Sequence, residues 1–290
     1  MNPTEVRQLL IELDQRLGRE LAGFWRALAQ SDPTQFRTLI VEAYPEIVAP
    51  YESLAIDLGA QWYDDTPTTT GYRAKPVEFG DPKKLTESAL WALNTTSGEA
   101  GLSALMGAAS RFVADGLRDT VVANAAAEPG ARWVRHASAT ACGFCRLMAT
   151  RHVGPNATFY RSEDAATRVV GRSIDISAAD RRAIAAGQMT YAEAVARRSF
   201  YEDAKAAERA GRSVGDAKLR RPRGNQKLGD KYHDDCHCIA QMIRPGQTYT
   251  PPPYVEQWND EYIEARKKVG GDPTKIITEL DRTARGARTP

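Results

Sequence analysis

Half of the chain's cysteines and histidines lie in one short segment, where metal or nucleophilic chemistry would be concentrated. The segment KYHDDCHC spans positions 231–238 and contains His233, Cys236, His237 and Cys238, whereas the whole chain has four cysteines and four histidines. Thiolates and imidazoles are the side chains that most often bind zinc in proteins. The composition of this segment therefore indicates a metal site.

A second pair of cysteines, Cys142 and Cys145, lies much earlier in the chain in the sequence Cys-Gly-Phe-Cys. A C-x-x-C spacing brings two thiolates to one ion from a tight turn, and we expect the glycine between them to help the backbone turn. Two such pairs from distant segments complete the tetrahedral site of structural zinc. The predicted metal ligands are Cys142, Cys145, His233, Cys236 and Cys238.

These five candidates exceed the four places of a tetrahedral site. The first predicted set is the four cysteines. In the alternative set His233 replaces Cys236 or Cys238, because one intervening residue is a tight spacing for two ligands, and His237 is a spare donor. Two other interpretations stay open: buried cysteines that bind nothing, and a disulfide. A metal is favoured because the cysteines cluster with histidine. Thiolate-rich sites are closed, so structural zinc is favoured over catalytic zinc.

With these motifs, the sequence resembles the phage Mu protein F-like head morphogenesis family, in the version encoded by phages of actinobacteria. The resemblance is carried by ATACGFCRLMATR (139–151), TFYRS (158–162) and YHDDCHC (232–238), and it covers about residues 130–245. It implies a minor capsid protein in few copies, located in the virion at the portal vertex or head interior. The portal and other head proteins are then the expected partners. Members are sometimes labelled capsid maturation proteases.

A basic stretch precedes the second cysteine pair. Residues 197–231 contain eleven lysines and arginines against five acidic residues. Such a stretch can neutralise phosphates without reading bases, although charge runs are as often solvated surface. The candidate contacts to packaged DNA are Arg220, Arg221, Arg223 and Lys227.

Catalysis is the alternative to a structural role. Ser138 lies near His136 and His152 in sequence, but no G-x-S-x-G or comparable motif surrounds a serine, so a protease is the second interpretation. The segment 233–237 also offers His and Asp ligands beside the thiolates, which makes a metal-dependent nuclease the third. No motif decides whether the protein is an enzyme, and the structural interpretation is preferred.

The elements that must position these residues form an α+β protein. Apolar residues recur every three or four positions through most of 1–128, which predicts a helical region for docking to the portal or head. Residues 130–246 predict a small α+β domain closed by the Cys/His site, with strands at 132–138, 158–162 and 238–244. Residues 247–290 predict a Pro-rich linker and a helical tail.

Finer expectations concern the breaks between these elements. Pro45 and Pro50 are expected to kink or break the second helix. Residues 64–84 predict a loop, and residues 177–210 predict one or two helices. The Pro-rich segment 247–254 predicts a stiff spacer that holds one terminal helix, about 255–269, away from the domain.

The bulk composition agrees with a folded protein that does not enter membranes. The chain has 290 residues, 42% hydrophobic residues and a net charge of +2, so no overall field attracts nucleic acid or lipid. The charged N-terminus is unlike a signal peptide, and no apolar run has the length of a membrane span. We therefore expect synthesis in the host cytoplasm, where cysteines more often bind metals than form disulfides.

Overall fold

The computed structural model describes residues 1–154, 157–161, 178–190, 193–194, 236–270 and 272–286. Within these ranges the protein is mostly helical with one small antiparallel sheet, which confirms the predicted α+β class. The elements in chain order are α1 (Pro3–Ala27), α2 (Pro33–Asp65), α3 (Pro82–Thr95), α4 (Gly98–Ala127), β1 (Arg132–His136), α5 (Gly143–Thr150), α6 (Ala178–Ala185), β2 (Ile239–Ile243), α7 (Pro253–Val269) and α8 (Pro273–Gly286).

The first helix follows from its sequence pattern. Asn2 caps α1 by accepting from the backbone of Thr4 and Glu5, and the Glu5 carboxylate accepts from the Asn2 amide, which completes a capping box. Its buried residues follow the predicted apolar stripe: Val6, Leu10, Leu17, Leu21 and Trp25. This stripe faces α2 and α4, and α3 packs against both of those helices.

The expected break in the second helix does not occur, because α2 continues through both Pro45 and Pro50. Each proline removes one backbone hydrogen bond, but α2 packs closely against α4 and this packing stabilises the helix. A Cβ added to Gly59 of α2 would lie 3.0 Å from the Leu117 carbonyl oxygen of α4. Tertiary packing therefore outweighs the local preference of the two prolines.

The predicted loop between α2 and α3 is confirmed, and a buried ion pair fixes it. The Glu128 carboxylate accepts from Tyr63, Thr68 and Thr70 and pairs with Arg244 at 3.0 Å. The Arg244 guanidinium also donates to the carbonyl oxygens of residues 63, 66 and 72. These contacts join the end of α4, the loop and the end of β2.

Two of the three predicted strands form the sheet. Strands β1 and β2 pair antiparallel, with Arg132 opposite Ile243 and His136 opposite Ile239. The third candidate contributes only an isolated bridge between Trp133 and Tyr160. It lacks the repeated pairing that defines a strand, so the prediction of a strand there is wrong for the residues that the structure describes.

The sheet packs on the N-terminal helices, so that one hydrophobic core runs through both. Leu117 and Val121 of α4 belong to the same buried cluster as Trp133 of β1 and Ile239 and Met242 of β2. Helix α4 is thus the element that connects the helical region to the sheet. The division of the chain at 1–128, 130–246 and 247–290 stays a prediction.

The C-terminal tail differs from the predicted spacer. It contains two helices, α7 and α8, where one was predicted, and both pack against α5 and against each other. Apolar contacts hold the two tail helices against α5, since Leu147 of α5 is buried with Ala265, Ile276 and Leu280 of the tail. The prediction that the Pro-rich segment holds the terminal helix away from the domain is therefore wrong.

Other predictions are only partly covered by the structure. Helix α6 lies within the predicted helical region 177–210, most of which is outside the described residues. In the part of the chain that is described, no helix combines the length and apolar character needed to span a bilayer.

Candidate metal centre

Three of the predicted ligands converge at one point in the core. The sulfur atoms of Cys145, Cys236 and Cys238 all lie within 4.8 Å of one another. The Cys145 and Cys236 sulfurs, which are 91 positions apart in sequence, are 3.8 Å apart. Zinc–sulfur bonds of about 2.3 Å in a tetrahedron separate two sulfurs by about 3.8 Å. The three thiols, which we call the thiol cluster, could therefore bind a metal ion.

Cys142 lies at the edge of the thiol cluster. It is the N-cap residue of α5 and is half-buried, and its side chain is hydrogen-bonded to that of Cys145. All four cysteines lie in the described residues, and none forms a disulfide.

The start of α5 explains why C-x-x-C suits this position. Cys142 is the N-cap and Cys145 is the third residue of the helix, so both thiols lie on its first turn. The dipole at a helix N-terminus favours negative charge and thereby favours metal-bound thiolates there.

Gly143 has a different role from the predicted one. Its φ is not among the positive values that favour glycine, so no unusual turn requires it. Instead, an added Cβ would lie 2.4 Å from the carbonyl oxygen of Ile277 and 2.9 Å from the amide nitrogen of Asp281. The Gly143 amide also donates to the Asp281 carboxylate. Glycine is needed here because α8 approaches the first turn of α5 closely.

The second cysteine pair lies immediately before β2. Alternate residues of an extended segment present their side chains on the same side, which explains how Cys236 and Cys238 can both reach the cluster across one intervening residue. The backbone amide of Ser138 donates to the Cys238 sulfur, and that of Cys238 donates to the Cys236 sulfur. Such donors stabilise the thiolates that a metal requires.

Two buried arginines flank the thiol cluster. Arg135 of β1 is 0% exposed and its Nη1 donates to the Cys145 sulfur at 3.4 Å. Arg118 of α4 is 1% exposed and donates to the backbone carbonyls of Cys236 and Cys238. Their positive charges favour a cluster that carries negative charge.

Hydrogen bonds shift the pKa values of the three thiols in different directions. The pKa of Cys236 is lowered, first because its sulfur accepts from Cys145 and Cys238 and further because Arg118 is near. The pKa of Cys145 is raised, mainly by its hydrogen bond with Cys142. For Cys238 the bond with Cys145 lowers the pKa, but the bond with Cys236, burial and the Cys236 charge together raise it to about 11.

The tail helix α7 covers the thiol cluster on another side. Val255 and Trp258 are buried in one hydrophobic group with Cys145, Cys236 and Cys238. Arg146, the residue after Cys145, pairs with Glu261 of α7 at 3.2 Å and stacks on the Trp258 ring at 4.9 Å. The tail thus shields the cluster from water.

The histidines of the metal prediction are placed only in part. His233 lies outside the described residues, as do the DNA-contact candidates Arg220, Arg221, Arg223 and Lys227, so these assignments stay predictions. His237 is described, and its Nε2 lies 3.1 Å from the Asp14 carboxylate of α1. His237, the spare donor of the metal prediction, is thus paired with a residue of α1.

Two of the three residues considered for proteolysis, Ser138 and His152, make other hydrogen bonds. The Ser138 hydroxyl lies 3.4 Å from the Thr140 hydroxyl. His152 accepts from the Arg135 amide through Nε2 and contacts the Thr158 carbonyl through Nδ1, so both ring nitrogens are bonded to backbone. Burial is the main cause that lowers the pKa of His136 and of His152 to about 4. The contacts of His152 are those of a neutral histidine within the fold, and the buried Nδ1 of His136 has no hydrogen-bond partner among the described residues.

Sequence reasoning missed Arg118 and Arg135. A signal for Arg118 existed, because it lies four residues from Ala114 and from Val122 on the core-facing side of α4. A charged residue at a core position is rarely buried without a partner. The signal for Arg135 of β1 is weaker, because every second residue of any strand faces one side and this alternation does not say which side is buried.

Fold and site together define a mostly helical α+β protein with a buried thiol cluster suited to a metal ion. The sequence model of the family described as VG15 protein matches residues 2–173, which is more than half of the chain. The chain therefore belongs to the VG15 protein family, and it is a phage protein of unspecified function. No curated protein and no solved structure matches it.

Proposed function

We propose that this phage protein acts structurally in the head as a minor capsid protein, and that a zinc ion closes its C-terminal part. The observation that carries the proposal is the convergence of three buried thiols from two segments 91 residues apart. A thiol-rich, closed site favours structural over catalytic zinc, because it leaves no open position for water or substrate.

The zinc ion would be held by Cys145, Cys236 and Cys238, with Cys142 or His233 as the fourth ligand. When bound, zinc supplies four strong bonds that join the start of α5 to the start of β2. Ligand binding of this kind adds directly to folding free energy. The sheet has only two strands in the described residues and α5 has eight residues, so such bonds add to the packing that stabilises them.

The position in the head rests on the resemblance to the phage Mu protein F-like family and on membership of a phage family. From these we infer a virion protein at the portal vertex or head interior, with the portal and other head proteins as partners. Packaged DNA is a further partner through the basic stretch 197–231, which would contact phosphates without sequence preference.

Elemental analysis of the purified protein tests the metal part. We expect about one zinc ion per chain, since the four or five donors complete a single tetrahedral site. Cys145→Ser should lose the zinc, whereas His237→Ala, which removes a side chain paired with Asp14, should retain it. A zinc-free, folded wild type would reject the metal centre.

Mass spectrometry of purified phage particles tests the location. We expect the protein in DNA-filled heads in few copies, and co-purification with the portal protein when both are expressed together. Absence from mature particles would reject the minor capsid assignment while leaving the zinc assignment intact.

A further inference from the structure

Arg118 makes an unusual set of contacts for a residue inside a helix. It is 1% exposed within α4. Its Nε donates to the Cys238 carbonyl at 2.9 Å, its Nη2 donates to the Cys236 carbonyl, and its Nη1 binds Asp115 at 2.8 Å. One guanidinium therefore bridges the backbone of two candidate metal ligands.

Burying a guanidinium is costly unless hydrogen bonds and a counter-charge compensate it. An apolar side chain at position 118 would continue the core-facing stripe of α4 without this cost. The contacts of Arg118 indicate what it provides instead. Its two donors fix the carbonyls of residues 236 and 238, and thereby the direction in which both thiols point.

We propose that Arg118 is the positioning residue of the metal centre: it pre-orients Cys236 and Cys238 and connects α4 to the bound ion. The inference rests on the proposed zinc site. Residues that orient metal ligands from outside the coordination shell contribute about 10- to 100-fold to metal affinity. A further consequence is linkage. Because the contacts of Arg118 both orient the two cysteines and attach their segment to α4, zinc binding strengthens that attachment.

The rigid fork of a guanidinium can bridge two carbonyls, whereas the ammonium of lysine is a point charge. Arg118→Lys therefore keeps the charge but loses the bridge. We expect its zinc affinity, measured by competition with a chromophoric chelator, to fall about 10- to 100-fold. The thiolate-to-metal charge-transfer band of the cobalt-substituted protein should shift or weaken, because the two sulfurs are no longer held in one orientation.

Arg244→Lys is the matched control. Arg244 is also a buried arginine that donates to backbone carbonyls, but it binds Glu128 and the loop after α2 instead of the cysteine segment. We expect it to lower the resistance to urea while leaving zinc affinity and the cobalt spectrum unchanged. The comparison separates loss of positioning from loss of stability.

The results distinguish this inference from the zinc site itself. If wild-type protein binds zinc and Arg118→Lys binds it equally tightly, the positioning role is refuted and the zinc site stands. Equal losses of affinity in Arg118→Lys and Arg244→Lys would also refute it, since general destabilisation would then explain both. A wild type that binds neither zinc nor cobalt would refute the zinc site.

Discussion

Replacing Gly143 by alanine tests whether the tail packs on the cysteine segment as described. The new Cβ would lie 2.4 Å from the Ile277 carbonyl oxygen and 2.9 Å from the Asp281 amide nitrogen. Both are backbone atoms of α8, so no side-chain rotation can relieve the overlap. Helix α8 has to move away from α5, which strains the hydrogen bond from residue 143 to the Asp281 carboxylate.

The expected cost follows from this overlap. Overpacking a well-filled contact destabilises a protein by about 1–3 kcal/mol, and a weakened hydrogen bond to a carboxylate adds about 1 kcal/mol. Gly143→Ala should therefore lower the free energy of unfolding by about 2–4 kcal/mol. Gly23→Ala is the control, because a Cβ there, near the C-terminal end of α1, meets nothing within 4 Å. It should raise stability by up to about 1 kcal/mol.

Urea unfolding of the two variants and the wild type measures these opposite changes. A second assay follows the reaction of native cysteines with a thiol reagent in metal-free protein. Because Trp258 of α7 covers the thiol cluster, loosening the tail should speed this reaction in Gly143→Ala and leave it unchanged in Gly23→Ala. A Gly143→Ala protein as stable as the wild type, with equally slow thiols, would refute the packing of the tail on α5.

Three further predictions concern the metal, the buried ion pair and the histidines. Removing zinc with a strong chelator should lower the unfolding temperature, and added zinc should restore it; an unchanged temperature would contradict a structural ion. Glu128→Gln leaves the buried Arg244 without its counter-charge and should cost about 3–5 kcal/mol in urea unfolding. Glu279→Gln, which removes a half-buried acid paired, among the described residues, only with the exposed side chains of Lys268 and Arg282, should change little, and similar effects of the two would contradict the burial of the pair. Stability should also fall as the pH drops from about 6.5 towards about 4, because unfolded His136 and His152 take up protons that the folded, low-pKa rings do not. This loss is about 3 kcal/mol per histidine at most, and a flat pH profile of urea unfolding would contradict their neutral burial.

Most helices and both strands could be predicted from local pattern. The stripe of α1, the stop at residues 128–130 and the strands β1 and β2 follow from periodicity and from the glycine and proline positions. The continuous α2 could not be predicted in the same way. Local rules place a break at its prolines, whereas its packing against α4 is a contact between residues far apart in sequence.

The candidate site shows the same division. The residue types and spacing of Cys142, Cys145, Cys236 and Cys238 indicate metal chemistry without any structure. Two features required the fold: the carbonyl contacts of Arg118, and the requirement for glycine at position 143. Both depend on elements that are distant in sequence.

The sequence alone determined the fold class, the helical character of residues 1–128, the two paired strands and the pairs of cysteines, because these depend on residue type and short-range spacing. Only the tertiary structure decided that Cys145, Cys236 and Cys238 meet, and that α4 and the tail enclose them. The physical reason is that burial, charge compensation and close backbone approach are properties of several segments at once. A single segment's pattern does not specify which other segment completes its surroundings.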